Sequence, residues 1–111
     1  MAIKSKDNRK ETMTITLELK DEIVRRITGE LMIPALAIIG LVPSGMSNKE
    51  IGKELCCSEQ MVKNYLRTIY DSTGMGCRVE LVLFTTTHPE LLEVSRLARD
   101  SYQQKKQLVK A

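Results

Sequence analysis

Residues 47–74 read SNKEIGKELCCSEQMVKNYLRTIYDSTG, and their spacing predicts two short amphipathic helices that a tight turn joins. In the first helix, Ile51 and Leu55 are four residues apart and therefore share one face. In the second helix, apolar residues recur at i, i+4, i+7 and i+8, which is the spacing of a single helical stripe. The two stripes face a common core. The residues of the second stripe are Val62, Leu66, Ile69 and Tyr70.

Capping signals predict where these two helices begin and end. Ser47 and Glu50 form the S-x-x-E pattern of a capping box, in which each side chain accepts the backbone N–H of the other residue. Ser58 can cap the second helix by accepting a hydrogen bond from an unpaired N–H. Gly74 suits the left-handed conformation in which many helices end. The segment therefore predicts a helix-turn-helix with defined ends.

Opposite its apolar stripe, the second helix presents a polar and mostly basic face. Lys and Arg pair well with guanine acceptors in the major groove, and Asn can bind adenine through two hydrogen bonds. The N-terminus of the first helix, at residues 47–49, offers unpaired N–H groups and a positive dipole end to a phosphate. The alternatives are a solvated helix face and a serine that serves only as a cap. The polar face consists of Gln60, Lys63, Asn64 and Arg67.

The segment resembles the helix-turn-helix of the LuxR/GerE family of transcription regulators, whose pattern is roughly SNKEIAxxLxISxxTVKNHLxxIxxKLG. The matching residues are Ser47 to Ile51, Leu55, Ser58, Val62 to Asn64, Leu66, Ile69 and Gly74. The resemblance covers about residues 31–86. It implies an all-α fold with a four-helix core and a recognition helix in the major groove. With the spacing above, it makes the following residues the candidates for DNA contact: Ser47, Asn48, Lys49, Ser58, Gln60, Lys63, Asn64 and Arg67.

The chain departs from the family pattern in two places. The family's first helix reads close to LTPREREVLxLLAEG, whereas residues 31–45 read LMIPALAIIGLVPSG. A helix that is apolar all round must be covered, either by an N-terminal helix, by a C-terminal helix or by another chain. After the recognition helix, Asp71, Ser72 and Thr73 stand where Arg-Lys-Leu is common. Fewer phosphate contacts would weaken nonspecific binding and flatten its salt dependence.

Helices extend this core at both ends. Residues 13–20, MTITLELK, alternate like a strand, but apolar residues between 19 and 31 are spaced four apart, like a helix. We expect a helix over about residues 16–28, with a short strand at residues 13–19 as the alternative. Thr87 to Glu90 form a second S/T-x-x-E capping box, which predicts a last helix from Pro89 to about Val109. The predicted organisation is a helical N-terminal extension (1–30), a DNA-binding domain (31–87) and a C-terminal helix (88–111).

Composition excludes several classes of function. Only 4% of residues are aromatic and there is no Trp, so aliphatic side chains and Met must fill the core, which suits helices. A net charge of +3 is compatible with nucleic acid. The three cysteines, two of them adjacent at Cys56 and Cys57, favour a reducing, cytoplasmic compartment. We expect no cofactor, no metal, no membrane partner and no enzymatic activity, because neither ligand spacing nor a catalytic constellation is present.

These observations favour a small, stand-alone regulator that binds double-stranded promoter DNA as a homodimer, with one recognition helix per half-site. The alternative is a protein-interaction module, either an anti-activator or one subunit of a heteromeric activator. In that case the apolar segment in residues 31–45, which takes the place of the family's first helix, docks another regulator. A partner regulator or RNA polymerase is the further protein partner that we expect. Members of the family commonly dimerise through the fourth helix, at residues 78–86 here. The expected dimerisation residues are Val79, Val82, Leu83, Phe84, Leu91 and Val94.

Overall fold

A computed structural model describes the backbone of residues 2–4, 14–16 and 18–110, and the side chains of residues 18–104. These residues hold six helices and a small antiparallel ribbon in which Ala2 pairs with Thr16. The helices confirm the all-α class. In chain order the elements are β1 (Ala2–Lys4), β2 (Thr14–Thr16), α1 (Glu22–Glu30), α2 (Ile33–Leu41), α3 (Asn48–Leu55), α4 (Glu59–Thr73), α5 (Arg78–Thr87) and α6 (Pro89–Lys110).

The N-terminal helix begins later than the apolar spacing predicted. Strand β2 lies within the alternating stretch, and α1 starts at Glu22 and continues through Gly29. The reason is Asp21, whose carboxylate accepts hydrogen bonds from the N–H groups of Ile23 and Val24 at 3.0 and 3.3 Å. An aspartate in this position stabilises a helix start, so the cap fixes the boundary. The other residues of the predicted extension, 1, 5–13 and 17, lie outside the described part of the chain.

Helix α2 lies at the centre of the core, and α6 covers it. Helix α6 makes the most extensive contact with α2, and α4 packs against another side. A later segment of the same chain therefore shields this uncharged helix from water. The buried residues of α2 are Ile33, Ala35, Leu36, Ala37, Ile38, Ile39 and Leu41.

Ser95 of α6 fixes the close approach of α6 to α2. Its hydroxyl donates to the Ala37 carbonyl at 3.1 Å and accepts from the Gly40 N–H at 2.7 Å. A Cβ at Gly40 would lie 2.5 Å from the Ser95 oxygen. The missing side chain at Gly40 thus allows the two helices to meet. None of the helices in the described residues has both the length and the apolar character needed to cross a membrane.

Helix α6 starts at Pro89 as predicted, but the capping box predicted at Thr87 to Glu90 is wrong. The Thr87 hydroxyl donates backwards, to the Phe84 carbonyl at 3.0 Å. The Glu90 carboxylate accepts the backbone N–H groups of Lys20 and Asp21, at 3.0 and 2.7 Å. Glu90 therefore binds the backbone just before α1 and does not complete a capping box at the start of its own helix. This contact joins the N-terminal segment to the junction of α5 and α6.

Candidate nucleic-acid interface

The start of α3 has the capping box that the sequence predicted. The Ser47 N–H donates to the Glu50 carboxylate at 2.9 Å, and the Glu50 N–H donates to the Ser47 hydroxyl at 3.1 Å. The bond from the Ser47 N–H lowers the pKa of the Glu50 carboxyl. The charged form is thus favoured, and it also suits the positive end of the helix dipole. The first turn of α3 is held in a fixed position.

The ends of α4 are equally well defined. The Ser58 hydroxyl accepts the Met61 N–H at 3.1 Å. At the other end Gly74 has a φ of 79° and donates its N–H to the Tyr70 carbonyl at 2.8 Å. Val62, Leu66 and Ile69 are buried, as their spacing predicted. These contacts fix both the rotation and the start of α4.

The turn between α3 and α4 uses the two adjacent cysteines. Cys56 adopts a left-handed conformation with a φ of 56°, which a residue other than glycine seldom does. Its side chain is exposed, whereas Cys57 packs against the core as a small apolar residue. The Cys57 N–H donates to the Gly52 carbonyl at 2.8 Å. The turn is therefore tight, and it sets the angle at which α4 leaves α3.

The polar face of α4 is open to solvent, as predicted. Gln60, Lys63, Asn64 and Arg67 are all exposed. The Gln60 amide nitrogen donates to the Asn64 side-chain oxygen at 3.1 Å, which holds the exposed Asn64 amide in place. Lys63 lies 3.8 Å from the Glu59 carboxylate, and both side chains are about half exposed. An exposed pair of this kind is weak, which leaves the Lys63 ammonium available to a ligand.

Arg78 is a candidate site residue that the sequence pattern did not reveal. Its guanidinium donates to the Asn48 side-chain oxygen at 2.6 Å and to the Met46 carbonyl at 2.5 Å. Arg78 thereby joins the start of α5 to the start of α3 and adds a cation beside α4. The signal was a basic residue at the first position of a predicted helix, but its partners are about 30 residues away. The groove formed here is lined by Asn48, Lys63, Leu66, Arg67, Tyr70 and Arg78.

The three residues expected to bind a phosphate at the start of α3 have different surroundings. Ser47 is exposed and serves the capping box. Asn48 is half-buried and accepts the Arg78 bond, so it positions Arg78. Lys49 is exposed beside them. The start of α3 therefore combines helix N–H groups with two cationic side chains, Lys49 and Arg78.

The expected dimerisation residues do not lie on one surface. Val79 and Leu83 of α5 are 66% and 61% exposed and are four residues apart. Val82 and Phe84 are half-buried at the edge of the core. The prediction that Leu91 and Val94 lie at a dimer interface is wrong, because both are fully buried within the chain itself. Their apolar spacing belongs to the side of α6 that packs inward, so only the α5 residues can contribute to an interface.

Comparison with known proteins identifies the central part of the chain. Residues 36–85 match the family model described as bacterial regulatory proteins, luxR family. Response regulator Rre1 from Synechocystis sp. is 36% identical over 52 residues, which are 47% of this chain and 22% of that protein. The chain thus spans about a fifth of the relative's length, and no solved structure matches it significantly. The match runs from α2 to α5 and contains the capped α3–α4 pair. This helix-turn-helix domain therefore belongs to the luxR family of bacterial regulatory proteins.

Proposed function

We propose that the chain is a transcription regulator that binds double-stranded promoter DNA as a homodimer, with α4 of each protomer in the major groove of one half-site. One observation carries the proposal. A helix capped at both ends presents Gln60, Lys63, Asn64 and Arg67 to solvent, and two further cations, Lys49 and Arg78, flank it. Polar side chains for base edges, with cations for phosphates beside them, are what a groove-binding helix requires.

The side chains divide into base-reading and phosphate-binding roles. Lys63 and Arg67 suit the acceptor edge of guanine, and Asn64, held by Gln60, suits adenine. Ser47, Lys49 and the N–H groups at the start of α3 suit one phosphate, and Arg78 suits a neighbouring one. The Ser58 cap and the Asn48 anchor position these groups. Ser58 and Asn48 therefore act on DNA binding indirectly, through the residues that they position.

Assembly as a homodimer rests on the exposed side of α5. Val79 and Leu83 form an apolar strip, and Val82 and Phe84 border it. A second copy of the same strip would bury this area by an isologous contact. Two α4 helices related by a two-fold axis would also read two half-sites, which supplies the specificity that one small module lacks.

The alternative of a docking module has less support. It needs an apolar first helix that is open to a partner, but α6 of the same protomer buries α2. We therefore favour direct DNA binding in the cytoplasm, where promoter DNA and RNA polymerase are available. Contact with RNA polymerase or with a further regulator remains compatible with this function.

The test is a selection of bound duplexes from a randomised library with the purified full chain, followed by anisotropy titrations of an enriched duplex and of a scrambled one. We expect tighter binding to the enriched duplex, and we expect Arg67→Ala to weaken it. Arg96→Ala is the matched control, because it removes the same charge from α6, where Arg96 pairs with Glu93 and Asp100. The proposal fails if no sequence is enriched, or if both variants bind alike.

A further inference from the structure

Met61 is an exposed apolar side chain in the first turn of α4. It is 43% exposed, whereas the apolar residues of the α4 stripe are buried or half-buried. The family pattern has Thr at this position, so the apolar side chain is a property of this chain. The Ser58 cap accepts the Met61 backbone N–H at 3.1 Å and fixes its place in the first turn.

The neighbours of Met61 are polar and exposed. Met61, Asn64 and Thr68 follow one another at i, i+3 and i+7, beside the strip formed by Gln60 and Arg67. Side chains of a helix tilt toward its N-terminus, so the Met61 side chain points toward the N-terminal end of α4. In helix-turn-helix complexes this end of the recognition helix contacts the base edges.

We infer that Met61 selects thymine by contact with its C5 methyl group in each half-site. This inference rests on the proposed function. When α4 enters the major groove, the exposed part of Met61 must be covered by a base edge. The thymine methyl is the apolar group that the four bases present there. Against any other edge, Met61 would remove water from a hydrogen-bonding group and offer nothing in return, which is unfavourable.

Two side chains in the first two turns of α4 would make different kinds of contact with the bases. The Gln60 amide nitrogen holds the exposed Asn64 amide through a 3.1 Å bond to its oxygen, and Asn64 supplies a hydrogen-bonded contact. Met61 supplies the neighbouring apolar contact. A base step that offers adenine acceptor and donor groups next to a thymine methyl would satisfy both side chains.

The test uses duplexes selected by the full chain, in which deoxyuridine replaces one thymine at a time. The replacement deletes the C5 methyl and leaves the hydrogen-bonding edges unchanged. For the wild type, we expect one thymine in each half-site where deoxyuridine weakens binding about fourfold, which corresponds to about 0.8 kcal/mol for one methyl group. Met61→Leu is the matched control and should keep this preference. Met61→Gln should bind both duplexes equally.

Each outcome separates this inference from the proposed function. If no sequence is enriched, the proposed function itself fails. If a site is enriched but no thymine shows the methyl effect, Met61 does not read thymine. The same conclusion follows if Met61→Gln keeps the wild-type preference. Circular dichroism checks folding, and Met61→Ser replaces Met61→Gln if that variant does not fold.

Discussion

The Arg78 guanidinium donates a hydrogen bond to the Asn48 side-chain oxygen across 2.6 Å, and so joins the start of α5 to the start of α3. Its second bond, to the Met46 carbonyl, fixes the fork in one orientation. Lys63 and Arg67 line the same groove. One residue therefore both positions the helix-turn-helix and adds a cation to the surface that we propose for DNA.

We expect Arg78→Ala to weaken DNA binding on all sequences by a similar factor and to lower the slope of log affinity against log salt by about one. Arg78→Lys should restore the slope but only part of the affinity, because an ammonium cannot make the two forked bonds. Titrations at several salt concentrations measure both quantities, with Arg96→Ala as the control of equal charge. An unchanged slope in Arg78→Ala would mean that Arg78 has only a structural role.

Asp71 continues the exposed strip of Gln60, Asn64 and Arg67 toward the end of α4. A carboxylate there repels phosphates, and it is also unfavourable near the negative end of the helix dipole. We expect Asp71→Asn to strengthen binding to specific and nonspecific duplexes by a few-fold, most clearly at low salt. Asp100→Asn on α6 makes the same charge change as a control. Equal gains in both variants would show that only net charge matters.

Two glycines should respond to alanine with opposite signs. At Gly40 a Cβ would displace the Ser95 hydroxyl, so we expect Gly40→Ala to destabilise the fold by about 1–3 kcal/mol. At Gly29, inside α1, a Cβ meets nothing within 4 Å, so Gly29→Ala should stabilise by about 0.5–1 kcal/mol. Urea unfolding measures both. A stabilising Gly40→Ala would contradict the close contact between α2 and α6.

Acid should weaken the joint between the N-terminal segment and the α5–α6 junction. The His88 ring lies against Phe84, and its Nδ1 donates to the Asp21 carboxylate at 2.5 Å. This bond lowers the pKa of the Asp21 carboxyl. The stability that it contributes is therefore present above the pKa of an unfolded aspartate, about 3.9, and is lost as the pH falls through the lower folded value.

Asp21→Asn isolates this contribution, because asparagine still caps α1. We expect the variant to be less stable than the wild type at pH 5–6 and the difference to shrink as the pH falls below the pKa of an unfolded aspartate, about 3.9. Thermal unfolding across this range measures it. A difference that stays constant with pH would show that the carboxylate charge of Asp21 is not involved.

The parts of the fold that the sequence predicted correctly depend on residues close together in the chain. The Ser47 and Ser58 caps, the Gly74 exit and the apolar stripe of α4 all use partners within four residues or one helical face. The exposed face of α4 followed directly from that stripe. Local chemistry was therefore enough to predict the ends of these two helices and the exposed face of α4.

The features that were missed depend on distant partners. Glu90 looked like part of a local capping box, but it accepts N–H groups about 70 residues away. Leu91 and Val94 showed an apolar stripe, but the stripe does not say whether it faces the same chain or a second copy. They are buried in the protomer instead. Arg78 likewise acts through Asn48, a contact that spacing along one helix does not reveal.

The most direct test of base reading by α4 is the affinity of wild type and Arg67→Ala for a selected duplex and for every single base-pair variant of it. We expect Arg67→Ala to lose about 1–3 kcal/mol on the selected duplex and to become indifferent to one base pair in each half-site, with the other preferences kept. A uniform loss over all duplexes, or no loss, would contradict the assignment of Arg67 and the exposed face of α4 to base reading.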